Sequence, residues 1–129
     1  MKHDEITHKI IGAAYNVYKQ LGFGFLESVY KKSMIIEINK YDLFIEEEKP
    51  LMVYYDKSIV GEFYADLFIE NQIIVELKSV KSLVKGHDVQ LVNYLNALNK
   101  ESGLLINFGP SQVEVKRKFR RSNISVLKA

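Results

Sequence analysis

The chain has no cysteine, which excludes disulfides, thiolate nucleophiles and cysteine-based zinc sites. No window approaches the roughly 20 consecutive apolar residues that a membrane span needs. The N-terminal stretch MKHDEITHKIIGAAYNVYKQ is broken by charges where a secretory signal would be uninterruptedly apolar. A cytoplasmic protein with no membrane association is therefore expected. Internal repeats, low-complexity tracts and Pro/Gly-rich linkers are also missing, with only 2 prolines and 7 glycines. The expectation is one domain covering residues 1–129. Charge of one sign is scarce too. A net charge of +2 gives little bulk attraction for a polyanion. The local exception is Lys116, Arg117, Lys118, Arg120 and Arg121, which reads either as a solvated strand or tail or as a phosphate-contacting arm.

What is present suffices for a core, with 47% hydrophobic and 26% charged residues. Asp4 is placed to cap a first helix in which Ile6, Ile10, Ala13, Ala14, Val17 and Leu21 keep helical spacing, and Gly22 to end it. A second helix is expected over about Leu26 to Asn39, its apolar content drawn from Val29, Ile35, Ile36 and Ile38 with Tyr30 and Met34 alongside. After Pro50 the pattern changes to strands: LMVYY, EFYADLFI and IIVELKSV, rich in β-branched and aromatic residues. Helical period returns from His87 to Asn99, with Val89, Val92, Leu95 and Leu98, and Leu91, inward, before the strands GLLINFG and QVEVKRKF. The order ααβββαββ implies an α/β fold, a mixed sheet flanked by helices.

Two of these strands carry charges inside apolar runs. Asp66 interrupts Phe63-Tyr64-Ala65 and Leu67-Phe68-Ile69, and Glu76 and Lys78 interrupt Ile73-Ile74-Val75 and Leu77. A carboxylate buried in a strand is costly unless paired, hydrogen-bonded or metal-bound. With Glu70-Asn71-Gln72 as a three-residue loop, Ile69 pairs with Ile73 and Asp66 stands opposite Glu76. Opposed residues share a face at about 5 Å between Cβ atoms, and period-two alternation adds Lys78 to that face. A two-residue loop would separate the carboxylates and remove the argument. Two carboxylates so close need a proton or a cation between them, and an oxygen-rich site suits Mg²⁺ or Mn²⁺. Lys78 would then assist a water or neutralise charge developing on a phosphate. The tripeptide E-x-K by itself says little. It also occurs at Glu47-Lys49, beside a proline and outside any apparent strand, and at Glu114-Lys116, without an upstream acidic strand. The competing reading of the cluster is a buried ion-pair network without catalysis.

The segment Gly24-Phe25-Leu26-Glu27-Ser28-Val29-Tyr30 resembles the motif of the GxxExxY proteins, within the PD-(D/E)XK nuclease-like superfamily. The likeness continues through GEFYADLFIENQIIVELKSV, HDVQLVNYL and GLLINFG. It implies a restriction-endonuclease-like core, Asp66 and Glu76 as metal ligands, Lys78 as catalytic lysine, and Glu27 as the acidic residue a helix turns toward the metal. Gln90 and Tyr94 match a Q-x-x-x-Y element implied to contact substrate, and they share a helix face. Each has a plainer reading. Glu27 suits a helix start, Tyr30 suits packing with a bonded hydroxyl, and Gln90 and Tyr94 suit scaffold. His87, one turn before Gln90, either faces the cleft or caps its helix, while His3 and His8 read as incidental. The resemblance thus implies a Mg²⁺-dependent nuclease acting on DNA, less readily on RNA, active alone, as a homodimer or in a larger complex. The alternative is a catalytically silent module of the same fold that binds nucleic acid or protein.

Overall fold

A computed structural model describes residues 2–121. The helices are α1 (His3–Leu21), α2 (Glu27–Asn39) and α3 (Lys85–Leu98), and the strands are β1 (Ile45–Tyr55), β2 (Ser58–Ile69), β3 (Ile73–Lys78), β4 (Ser102–Phe108) and β5 (Val113–Phe119). The element order is the expected one. The five strands form one sheet in sequential order β1-β2-β3-β4-β5. β3 and β4 run parallel, joined through α3, and every other neighbouring pair is antiparallel. This is the mixed sheet flanked by helices.

Two cores clamp the sheet. On one face α1 and α2 contribute Ile6, Ile10, Ala13, Val17, Tyr30, Met34 and Ile38, packed on Leu67, Ile69, Val75, Leu77, Leu104 and Ile106. On the other, α3 contributes Leu91, Tyr94 and Leu95, packed on Leu51, Ala65, Phe68, Ile74 and Leu105. Buried on both faces, β3 and β4 are near-continuous apolar runs. At Gly103 an added Cβ would lie 2.7 Å from the Ile74 carbonyl oxygen and 3.1 Å from Leu91 Cδ1. α3 therefore approaches the sheet over a residue that has no side chain.

Several local expectations are corrected. Asp4 is not the cap of α1. The helix starts after Lys2, without a side-chain cap, and Asp4 sits in the first turn, where it accepts Arg117 at 2.8 Å. Helix α2 buries Tyr30, Met34 and Ile38, a stripe spaced four residues apart, and leaves Ile36 62% exposed. In α3, Val89 faces solvent rather than core. β1 begins at Ile45 instead of Leu51. Its charged half, Glu46 to Lys49, is strand because β1 is the sheet edge, which also tolerates Pro50.

The β1–β2 hairpin turns at Asp56 and Lys57, both with positive φ, as a two-residue type I′ loop demands. Among the described residues, β2 beyond Leu67 toward that tip pairs with β1 alone and its other edge meets no strand. The distal hairpin is thus a two-stranded arm carrying exposed Tyr54, Tyr55, Ile59, Val60 and Tyr64. Arg121 N–H donates to Asn96 Oδ1 at 3.1 Å, holding the end of the described chain against α3.

Candidate metal centre

The turn between β2 and β3 sets the site. Gln72 N–H donates to Ile69 O at 2.9 Å, and Glu70 and Asn71 both take positive φ. Pairing then runs Ile69↔Ile73, Phe68↔Ile74 and Leu67↔Val75, the register expected from a three-residue loop. There the ladder stops and side chains take over. Asp66 N–H donates to Glu76 Oε2 and Leu77 N–H donates to Asp66 Oδ2, each at 2.8 Å. Each carboxylate satisfies a backbone amide of the opposing strand where the strands part.

The faces of β1 and β2 also invert here. Leu67 packs with the α1/α2 core and Ala65 with the α3 core, although residues two apart normally share a face. β1 does the same, with Ile45 on the first core and Leu51 on the second. Between these points Glu48 stands across from Asp66, in the gap between the pairs Glu47↔Leu67 and Lys49↔Ala65, and its φ is 52°. The inversion turns Asp66 into a hollow lined by Glu27, Ser28 and Lys31 of α2, Glu48 of β1 and Leu77 of β3.

Electrostatically the hollow is acid-rich. Glu76 is 6% exposed. Burial first, then the Asp66 charge, lifts its carboxyl from 4.5 to about 8, against the lowering effect of the Asp66 amide and Lys78. Burial likewise raises Asp66, and Glu48 and Glu27 push it further up, while the Leu77 amide and Lys31 oppose them. Lys31 pairs with Glu48, and with Glu47 at 3.6 Å; these contacts raise its pKa. Tyr94 is raised by burial and then by the charges of Glu76 and Asp66, which places it within electrostatic reach of the pair.

Asp66, Glu76, Glu27 and Lys78 are thus brought together, Lys78 near enough to stabilise the Glu76 charge though not as an ion pair. Gln90 and Tyr94 line a neighbouring hollow with Val53, Phe63 and Asn93; Gln90 is exposed, and Tyr94 contacts the Phe63 ring at 5.2 Å. Tyr30, expected beside the substrate, is placed in the core. It is wholly buried, its hydroxyl donates to Gly22 O, and its ring stacks on Phe108 at 4.2 Å. His87 is a cap: its Nδ1 accepts Val84 N–H at 3.1 Å. Glu48 and Lys31 went unmarked in the sequence, although the run Glu46-Glu47-Glu48 was a visible signal. The basic cluster is largely spent internally, Lys116 and Lys118 on Asp88, Arg117 on Asp4 and Arg121 on Asn93.

The donor set fits a hard divalent cation. Asp66 Oδ1 and Glu76 Oε1 make no hydrogen bond among the described residues, and neither is sealed from solvent. A cation there would discharge an arrangement that Lys31 and Lys78 relieve only in part and that otherwise takes up a proton. In this conformation no three acidic or imidazole groups of the described residues stand at mutual metal-binding separation.

No curated protein matches the sequence. The crystal structure of SSO0001 is similar at 15% identity with a TM-score of 0.61, covering 97% of this chain and 61% of that chain. This chain therefore spans about three fifths of that protein, and the likeness speaks to the fold. The sequence profile of the PD-(D/E)XK nuclease superfamily matches residues 4–121. Members of that superfamily are mostly nucleases, typically using divalent metals. With nearly the whole chain matched and the mixed sheet in place, the protein belongs to the PD-(D/E)XK nuclease superfamily.

Proposed function

We propose that this chain is a Mg²⁺- or Mn²⁺-dependent phosphodiesterase acting on DNA, and less readily on RNA. The observation that carries the reading is the meeting of Asp66 and Glu76 where β2 and β3 part, with Glu27 and Glu48 on the same hollow. Asp66, Glu76 and Glu27 would hold the cation, which supplies charge neutralisation at a phosphate and acidifies a water. Lys78, beside Glu76 on the same strand, compensates charge developing on the phosphate. Tyr94, its ring against Phe63, and Gln90, on the rim of the next hollow, orient the backbone of the substrate. The Gly24–Tyr30 segment supports placing the chain among the GxxExxY proteins.

A second reading draws on a specific observation. One oxygen of each carboxylate is committed to an opposing backbone amide, as a structural interlock or a silent binding module would have it. A cleavage assay with Mg²⁺ and Mn²⁺ on single- and double-stranded DNA and RNA separates the two. Asp66→Ala and Glu76→Ala should each cost about a hundredfold or more in rate. A protein that cleaves none of these substrates, or variants that cleave as well as the parent, would overturn the proposal. Metal binding that depends on both acids, without hydrolysis, would point to the module.

A further inference from the structure

The loop between α1 and α2 presents an apolar surface that the fold covers only in part. Phe23, Phe25 and Leu26 are 40%, 47% and 76% exposed. The backbone beneath them is pinned. The Tyr30 hydroxyl donates to Gly22 O and accepts Phe25 N–H, and Ser79 Oγ donates to Phe25 O at 2.9 Å. Gly22 and Gly24 hold φ of 66° and 115°, values that side-chain-bearing residues rarely adopt. The Phe25 ring meets the Tyr30 ring edge-on at 6.2 Å, yet a loop fixed at its amides and carbonyls still leaves much of its apolar area in water, which suits it to contact.

These side chains line a hollow of about 550 Å³ with Glu27 and Ser79. Glu27 also lines the hollow of Asp66 and Glu48, so the apolar and acidic hollows adjoin at that residue. Among the described residues the lining of the apolar one carries Glu27 and no cationic side chain, which favours an uncharged, apolar occupant over a phosphate. Exposed rings beside a phosphate-processing site suit the flat face of a nucleobase, which must be unpaired to stack.

We propose that Phe23, Phe25 and Leu26 form a platform for an unpaired nucleobase next to the phosphate to be cleaved, making single-stranded or frayed nucleic acid the favoured substrate. This rests on the phosphodiesterase reading. The test uses the full chain with Asp66→Asn to prevent turnover, and follows binding of a single-stranded oligothymidylate, the same strand with abasic sugars, and a blunt duplex. Oligothymidylate should bind more tightly than its abasic counterpart. Phe23→Ala and Phe25→Ala should each erase about tenfold of that advantage, leave duplex binding unchanged, and melt like the parent. Phe25→Trp should retain it, which separates stacking from folding.

Equal losses on all three probes, or no preference for bases over abasic sugars, would overturn the platform while leaving the phosphodiesterase intact. Absence of binding to every nucleic acid would overturn both. Self-association that the alanine variants abolish, without an effect on base preference, would assign the patch to a second copy and overturn the platform.

Discussion

At the scale of single residues, the acidic pair should govern how stability responds to pH. The Glu76 carboxyl is lifted on folding from 4.5 to about 8, chiefly by burial. A carboxyl whose pKa rises on folding holds its proton more tightly in the folded state. Its stabilisation is complete below about 4.5 and is lost as pH climbs through about 8. Metal-free protein should therefore lose Tm between about pH 5 and 8 by an amount worth up to a few kcal/mol. Glu76→Gln should flatten that slope in thermal melts across the pH series. An unchanged slope would mean that Glu76 is charged in the folded protein at neutral pH. Asp66 and Glu76 were legible in the sequence because charge inside an apolar run is conspicuous and a three-residue turn fixes its register. Glu48 was not. Counting back from the pair Tyr55↔Ser58 puts it opposite Ala65, and only the register shift between Val53 and Tyr54 brings it to Asp66. Tyr30 belonged to the same motif as Glu27, but a motif does not reveal that one residue faces the cleft and the other the core.

At the scale of elements, α3 is fixed to the sheet by its approach over β4. Leu91 sits against Gly103, and a methyl group there would press on both Leu91 and the Ile74 carbonyl. Gly103→Ala should cost about 1–3 kcal/mol in denaturant titrations, the usual range for overpacking. Because Tyr94 and Gln90 are carried by α3, the same variant tests whether their placement depends on this contact. A stability within error of the parent would show that the helix can lift at no cost. Helix α2 explains why sequence patterns identified the elements better than their faces. With isoleucines at 35, 36 and 38, its apolar residues surround the axis, and the buried stripe Tyr30-Met34-Ile38 is selected by the sheet beneath it. The charged half of β1 was unreadable for the opposite reason. An edge strand has one row of amides open to water, so apolar alternation is not required of it.

At the scale of the whole molecule, the order of helices and strands was readable because periodicity changes sharply between segments, whereas the sequential order of strands in the sheet was not read from it. The hairpin arm is where that compact plan ends. Among the described residues, Ser58 to Ala65 has β1 on one side and no strand on the other, while β3 and β4 are paired on both sides and buried under helices on both faces. Such a chain is mechanically uneven, and it should breathe in two stages. Amides near the Asp56–Lys57 tip should exchange with deuterium by local fraying, on a time course indifferent to Gly103→Ala. Amides of Ile74 and Leu104 should exchange only when the sheet opens as a whole, and should follow the global stability of each variant. Mass-resolved exchange of the two regions would show it, and a single common rate would mean that the arm unfolds with the body. If the two rates separate, the boundary between them falls at Glu48 and Asp66, where the strands turn over. The acidic pair would then stand at the junction between a part of the molecule that opens often and a part that seldom does.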